Sequence, residues 1–147
     1  MKLVLAITLF TVGLFAFGQS SAQQAQADPS HLTGVWRGQQ RDGKPVVTLV
    51  VSDESGSLSG AVLFYFLTRA TENDPWTATP GLPEPIFHLR LDGDTLHFDV
   101  SHRRAHPPRT LSDPPVSFTL ALTGPDEGKL VNDSEPSAGL PMVRSDR

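Results

Sequence analysis

The feature that most constrains the fold is a hairpin pattern in residues 46–67, VVTLVVSDESGSLSGAVLFYFL. Two apolar runs flank a polar turn at residues 52–57, where Gly56 can take the positive φ that a short hairpin connection demands. The first run alternates, and one of its predicted faces carries Val47, Leu49 and Val51. The second run, residues 60–67, is apolar on both faces, which is typical of a central strand of a barrel or sandwich, or of a strand covered by a loop. The pattern predicts a β protein built around this hairpin.

Shorter alternating segments predict further strands. Residues 86–92 and 95–100 form a second predicted hairpin, with one face made of Phe87, Leu89, Leu91, Leu96, Phe98 and Val100. Its opposite face carries His88, Arg90, His97, Asp99 and Ser101. Residues 116–123 alternate in the same way, with Val116, Phe118, Leu120 and Leu122 facing in. Together with short strands at residues 34–40, 129–131 and 140–144, these segments predict an all-β antiparallel meander of about eight short strands.

Two long proline-rich segments, residues 68–85 and 101–115, are predicted to be loops, because proline disfavours a regular ladder. If consecutive strands pair antiparallel, their connections alternate between two ends of the sheet. Both long segments then lie at one end, the long-loop end. The short turns at residues 52–57, 92–94 and 124–128 lie at the other, the short-turn end. An even number of strands lets the last pair with the first, closing a small barrel whose interior is filled by side chains or holds one small ligand.

The N-terminal segment has the pattern of a secretory signal peptide. Lys2 precedes a mostly apolar run of 15 residues, 3–17, which is shorter than the roughly 18–20 residues needed to span a bilayer. Small residues offer cleavage positions after Ala22 and after Ala27, and an uncleaved N-terminal anchor is the alternative. We therefore expect residues 1–27 to be a signal peptide with a short spacer and residues 28–147 to be a single β-barrel domain. The mature chain is expected to be periplasmic or extracellular, without stable membrane insertion.

Composition supports export and excludes some partners. The chain has no cysteine, so it forms no disulfide, and export without disulfides fits a bacterial protein better than a small animal domain. The formal net charge of −4 argues against nucleic acid as a partner, because a basic surface would be expected for that role.

Arginine, histidine and aromatic residues in the long loops are the candidate ligand contacts. In residues 101–109 these are Arg103, Arg104, His106 and Arg109, whose side chains could hold a carboxylate, phosphate or sulfate. The alternative is a solvated loop whose arginines pair with nearby acids. Trp76 could stack on a ligand or anchor its own loop, and apolar contacts would come from Phe64 and Phe66, with Phe87, Phe98 and Phe118.

The sequence gives little sign of catalysis. No serine lies in a Gly-x-Ser-x-Gly elbow, and the acidic residues cluster in turns rather than at inward-facing strand positions. His88, His97 and Asp99 could ligate zinc in a metal-dependent hydrolase, but a salt-linked ladder on the barrel surface is the simpler interpretation. We therefore expect a protein that is not an enzyme and that uses neither a metal nor another cofactor.

One resemblance adds to this interpretation. Gly34-Val35-Trp36 resembles the Gly-x-Trp opening of the lipocalin-like (calycin) barrels, in which the Trp plugs the closed end and an Arg from the last strand packs over it. The resemblance implies that Arg144 lies over Trp36. The opening GVWRG and the end PMVR are similar to those of small, uncharacterised lipocalin-like domains of secreted bacterial proteins, which implies a fold but no settled function. The chain differs from true lipocalins in its short strands and in having no disulfide and no room for a C-terminal helix.

Two functional hypotheses remain from the sequence. The first is an exported, non-enzymatic β-barrel that binds a small amphipathic or anionic ligand at its long-loop end. The second is a solid-core module for protein interaction or envelope structure, with an unknown partner. A cavity inside the barrel would favour the first and a filled interior the second.

Overall fold

The computed structural model describes residues 29–39, 42–101 and 114–145. In these residues a 3-10 helix, Pro29–His31, precedes nine strands: β1 (Gly34–Gln39), β2 (Pro45–Glu54), β3 (Ser57–Thr68), β4 (Thr77–Pro80), β5 (Glu84–Asp92), β6 (Thr95–Val100), β7 (Val116–Gly124), β8 (Glu127–Asn132) and β9 (Leu140–Arg144). The described part of the chain has no helix long and apolar enough to cross a membrane.

Eight of the strands form a closed antiparallel barrel. Neighbouring strands follow the order β2-β1-β9-β8-β7-β6-β5-β3, and an additional pairing of β2 with β3 closes the ring. Apart from the insertion of β4 after β3, each strand is bonded to its neighbours in sequence, and the last strand pairs with the first. The predicted all-β meander closing into a small barrel is confirmed.

The strand β4 lies outside this ring and corrects the prediction that residues 68–85 form no ladder. Its four residues pair with the end of β3, from Tyr65↔Pro80 to Thr68↔Thr77. Proline does not prevent this pairing, because β4 is an edge strand and Pro80 is its last residue. Beyond Val62, β3 separates from β5 and pairs with β4 instead. In the described residues β3 and β5 therefore share two registered pairs, Ala61↔Pro85 and Val62↔Glu84.

The connections lie at the two ends as predicted. The β2–β3, β5–β6 and β7–β8 connections are two-residue turns at the short-turn end. The strand ends that the other connections join, from β1 to β2, from β3 through β4 to β5, from β6 to β7 and from β8 to β9, lie at the long-loop end.

The central hairpin has a tighter turn than the predicted residues 52–57. The ladder of β2 and β3 continues to Glu54↔Ser57, which leaves Ser55 and Gly56 as the turn. Both turn residues have positive φ, 58° and 88°, as a type I′ turn requires. The predicted alternation of β2 is confirmed, because Val47, Leu49 and Val51 are all buried.

A β-bulge in β5 corrects the predicted facing of Phe87. The register runs Ile86↔Val100 and Phe87↔Asp99, and then resumes at Arg90↔His97. The bulge includes His88, whose φ is 53°, and it shifts the alternation by one residue. Phe87 therefore shares the outer face with Asp99, whereas Leu89 and Leu91 pack against the core as predicted.

The barrel interior is packed with side chains. Buried hydrophobic residues come from all eight ring strands and from the segment before β1: Leu32, Trp36, Val47, Leu49, Val51, Val62, Ile86, Leu96, Phe98, Val100, Leu120, Leu130 and Met142. Gly38 indicates how tight this packing is. A Cβ at that position would collide with Leu140 and would lie 2.9 Å from the sulfur of Met142.

Candidate ligand site at the long-loop end

The short-turn end of the barrel is closed by Trp36. Its side chain is fully buried, and its Nε1 donates a hydrogen bond to the backbone oxygen of Leu32 at 2.8 Å. The guanidinium of Arg144 lies over the indole ring, 4.6 Å from its centroid, and also donates to the backbone oxygen of His31. The packing that the resemblance implied for Trp36 and Arg144 is therefore present at the short-turn end.

Three phenylalanines stack across the interior toward the long-loop end. The ring of Phe118 on β7 lies 5.7 Å from that of Phe64 on β3 and 5.8 Å from that of Phe98 on β6. These distances are within the range in which aromatic rings attract each other. Phe64 and Phe118 are half-buried, whereas Phe98 is buried. The predicted apolar contacts from Phe64, Phe98 and Phe118 thus face one another in the upper part of the core.

Phe66 lies beyond these rings, at the rim of the barrel. It follows Phe64 by two residues on β3 and so has the same facing, but 60% of it is exposed. The backbone N–H of Gly81 donates to the oxygen of Phe64 at 2.9 Å, which holds the segment after β4 against β3. Leu82, the next residue, is 65% exposed. Phe66 and Leu82 are thus both exposed on the segments joined by this hydrogen bond, and we call the two residues the rim patch.

Trp76 belongs to the outer part of the β3–β4 hairpin. Arg69 is the first residue of the loop between β3 and β4, and Trp76 is the last. The Arg69 guanidinium lies 4.6 Å from the centroid of the Trp76 ring. Arg69 also donates to the backbone oxygen of Glu72 at 2.8 Å, so the contact ties the loop together. The pair Thr68↔Thr77 puts Trp76 about 13 Å or more along β3 from Phe64, at roughly 3.3 Å per residue. This geometry favours the anchoring role, and a contact of Trp76 with a ligand stays a prediction.

The predicted polar contacts lie outside the described residues. Arg103, Arg104, His106 and Arg109 belong to residues 102–113, which connect Ser101 with Pro114. The flanking strands bring both ends of that segment to the long-loop end, because β6 ends there and β7 begins there. Their contact with a ligand therefore stays a prediction.

Glu84 is an inward-facing acidic residue that the sequence interpretation missed. It is the first residue of β5 and is 7% exposed, and the pattern of buried Glu84, exposed Pro85 and buried Ile86 gives it an inward facing. It pairs with the buried Val62, two residues before Phe64. Glu84 thus corrects the statement that the acids cluster in turns. Its position between two prolines hid the alternation that would have revealed its facing.

A second polar cluster lies on the outer face of the barrel. The Nδ1 atom of His88 and the hydroxyl of Ser117 donate to Asp99, at 2.9 Å and 2.6 Å. The hydrogen bond from Ser117, followed by that from His88, lowers the pKa of Asp99 from its usual value. His97 instead contacts the hydroxyl of Thr119 at 3.0 Å.

This outer cluster does not have the arrangement required by the zinc hypothesis. His88 and His97 bond to different partners, and no group of three His, Asp or Glu residues in the described ranges is arranged to hold a metal ion. The bonds between His88, Asp99 and Ser117 correspond to a surface ladder across β5, β6 and β7.

A groove at the short-turn end was not predicted. It has a volume of about 350 Å³ and is lined by His31, Asp94, Leu122, Thr123, Gly124 and Pro125. The Nε2 atom of His31 lies 3.3 Å from the carboxylate of Asp94. No sequence signal joined these residues, because they come from the segment before β1, from the β5–β6 turn, and from the end of β7 with the turn that follows it.

Comparisons of the chain with protein-family models, with curated proteins and with solved structures found no match.

Proposed function

We propose that the protein is an exported, non-enzymatic β-barrel of the lipocalin-like kind that binds a small amphipathic or anionic ligand at its long-loop end. The observation that carries this proposal is the exposure of Phe66, which follows the half-buried Phe64 by two residues on β3, toward the long-loop end. An aromatic side chain exposed at the rim of a closed barrel gives an apolar ligand a surface that continues into the core.

The lipocalin-like assignment is supported by two features of the barrel. Its ring contains eight antiparallel strands, and Trp36 closes one end beneath Arg144. Export is supported by the charged and apolar pattern of residues 1–17.

In this proposal the ligand lies above the phenylalanines rather than deep in the barrel. The packing around Trp36 fills the interior at the short-turn end, and the close contacts at Gly38 extend this packing to the level of Val47, the partner of Phe64. The apolar part of the ligand would therefore lie against Phe64, Phe66 and Phe118. Its anionic group, where it has one, would reach Arg103, Arg104 or Arg109 in the connection between β6 and β7.

The packed interior also supports a second candidate, a solid-core module for protein interaction or envelope structure. A Cβ at Gly38 has no room, and the buried residues extend from Trp36 to Val100 across the core. In that case the exposed rim patch would contact another protein rather than a small molecule.

A fluorescence titration with an anionic lipid probe tests the proposal. We expect saturable binding by the wild-type chain and at least tenfold weaker binding by Phe66→Ser. The matched control is Val143→Ser, because Val143 is also exposed, at 55%, but lies on the outer face of β9. Equal affinity of the two variants, or no binding by the wild-type chain, would contradict a ligand site at the rim.

A separate variant tests whether the arginines of the β6–β7 connection hold the anionic group of the ligand. Replacing Arg103, Arg104 and Arg109 together by Ala should weaken binding of the anionic probe, because the ligand loses its charged hydrogen-bond donors. Unchanged affinity would show that these three residues do not hold the anionic group.

A further inference from the structure

The groove at the short-turn end is a cavity that the proposed ligand site does not use. Three parts of the chain form it: His31 from the segment before β1, Asp94 from the β5–β6 turn, and residues 122–125 from the end of β7 and the turn after it. Its volume of about 350 Å³ lies within the range of small-molecule sites. The groove therefore has room for a small ligand or for one side chain of a larger one.

The walls of the groove are fixed by hydrogen bonds of the fold itself. The backbone N–H of Leu122 donates to the backbone oxygen of Asp94 at 2.9 Å, which holds the β5–β6 turn against β7. The 3-10 helix that ends with His31 is held by the guanidinium of Arg144, which donates to the backbone oxygen of His31. Because these contacts exist without a ligand, binding in the groove costs little additional ordering of the chain.

The carboxylate of Asp94 is an accessible charge in this groove. Its side chain is 80% exposed, and its Oδ1 atom lies 3.3 Å from Nε2 of His31. That contact does not have hydrogen-bond geometry, and in the described part of the chain no hydrogen bond reaches the other carboxylate oxygen. An ionised carboxylate has about four acceptor positions, so Asp94 can keep its contact with His31 and accept bonds from a ligand as well.

The charges around the groove favour a cation over an anion. Exposed acidic residues lie at the same end of the barrel: Asp53, Glu54, Asp92 and Glu127. The side chain of Arg144, also at this end, is 4% exposed and lies beside Asp126, so its charge is shielded from solvent. An anionic ligand would be repelled by the exposed carboxylates, whereas a cationic ligand would be attracted.

We propose that this groove binds a guanidinium group carried on an aliphatic stem. The planar guanidinium donates two parallel hydrogen bonds to the carboxylate of Asp94, a geometry that suits a guanidinium better than an ammonium group. The hydroxyl of Thr123 lines the same groove and supplies a further acceptor, and the stem lies against Leu122 and Pro125. This site is at the opposite end of the barrel from the proposed ligand site and does not depend on it.

Three probes with the same four-carbon stem test the ligand class: butylguanidinium, butylammonium and the neutral butylurea. Each is titrated into the purified chain at low ionic strength, and the backbone amide resonances of Leu122 and Gly124 are followed by NMR. We expect butylguanidinium to bind about tenfold more tightly than butylurea, and also more tightly than butylammonium. Butylguanidinium that binds no more tightly than either of the other probes, or that shifts neither resonance, would overturn the inference.

A pair of variants assigns the binding to Asp94. Asp94→Asn keeps the shape of the side chain and should weaken the binding of butylguanidinium about tenfold, because the charged acceptor is lost. The matched control is Glu54→Gln, which removes one exposed acid at the same end but outside the groove lining and should leave the affinity nearly unchanged. Equal losses in the two variants would mean general charge attraction without a site and would overturn the inference.

A measurement on the wild-type chain guards against a variant that fails to fold. The side-chain carboxyl carbon of Asp94, followed by NMR, should shift on saturation with butylguanidinium, whereas that of Glu54 should not. An Asp94 resonance that stays unchanged while butylguanidinium binds would overturn the inference.

A fourth probe, N-acetylarginine amide, separates the two sources of a guanidinium. Binding of this probe as well as butylguanidinium supports an arginine side chain of a peptide as the ligand. Binding of butylguanidinium alone supports a free small guanidinium compound, because the groove then does not admit the backbone of the peptide.

Discussion

Arg144 connects three separate parts of the chain at the short-turn end. Its side chain is 4% exposed, lies over Trp36, donates to the backbone of His31 and has its Nε atom 3.6 Å from Asp126. These partners belong to β1, to the 3-10 helix and to the β7–β8 turn. The Arg144 side chain therefore holds the 3-10 helix against the short-turn end of the barrel.

Replacing Arg144 by Met should destabilise the protein by about 2 kcal/mol, because the cation–π contact is lost and the carbonyl of His31 loses its donor. Asp126 is half exposed, so water can solvate its carboxylate once Arg144 is gone. The loss of stability is therefore smaller than for breaking a fully buried ion pair. Urea unfolding followed by circular dichroism measures the change. Arg37→Met, at an exposed position on β1, is the control and should stay within about 0.5 kcal/mol of the parent. Equal losses in the two variants would contradict the role of Arg144.

Asp99 gives the stability of the barrel a defined pH dependence. Hydrogen bonds from Ser117 and His88 lower its pKa below the usual value of 3.8, so the ionised form favours the folded state. That contribution is present above pH 3.8 and is lost as the pH falls through the lowered pKa of the folded protein.

Ser117→Ala should raise the pKa of Asp99 toward its usual value, because it removes the hydrogen bond that lowers it most. At pH 7 the variant should be less stable by about 1 kcal/mol, and this difference should shrink below pH 3.8. Carboxyl NMR titration and urea unfolding at pH 7 and pH 3 measure both effects. Thr123→Ala, at an exposed position on the same strand, should leave the titration of Asp99 unchanged. A pKa that does not move in Ser117→Ala would contradict the stated cause.

At the scale of elements, the turn between β2 and β3 is strained at one residue. Ser55 has a φ of 58°, a conformation that Asn adopts more readily than Ser, and Gly56 follows it with a φ of 88°. Ser55→Asn should therefore stabilise the protein by about 0.5–1 kcal/mol. Thermal unfolding measures the gain, and Ser57→Asn, the first residue of β3, should bring none. A lower midpoint for Ser55→Asn than for the parent would contradict the turn type.

An element could be predicted from the sequence where local residue patterns determine it, and not where contacts with a distant strand determine it. The ring strands could be predicted because alternation and turn residues are local signals, as in Val47, Leu49 and Val51. The strand β4 could not, since the four residues TATP lie in a proline-rich segment and pair as a strand only through contact with β3. The facing of Phe87 was wrong because nothing in the local sequence marks His88 as bulged.

The candidate site was predictable only in part, for the same physical reason. Phe64 was recognised from a strong local pattern, and the closing role of Trp36 from a resemblance. Glu84 was missed because Pro83 and Pro85 marked it as part of a loop. Its inward facing arises from the pairing of β5 with β3, which only the closed ring establishes.

At the scale of the whole molecule, the barrel depends on its last strand. β9 pairs with β8 on one side and with β1 on the other, and it supplies both Met142 to the core and Arg144 to the short-turn end. Without β9, two strand edges would be exposed and Trp36 would lose its cover. The ring is therefore expected to fold as one cooperative unit rather than strand by strand.

A chain truncated after Gly139 tests this dependence. It lacks β9 and should show no cooperative unfolding transition, because the hydrophobic core is opened along its full length and small domains have little stability to lose. Differential scanning calorimetry measures the transition, and Trp36 fluorescence should shift to longer wavelength as water reaches the indole. A chain truncated after Ser145 keeps β9 and is the control, with a transition like that of the parent. A cooperative transition in the shorter chain would mean that seven strands suffice and that ring closure does not determine the fold.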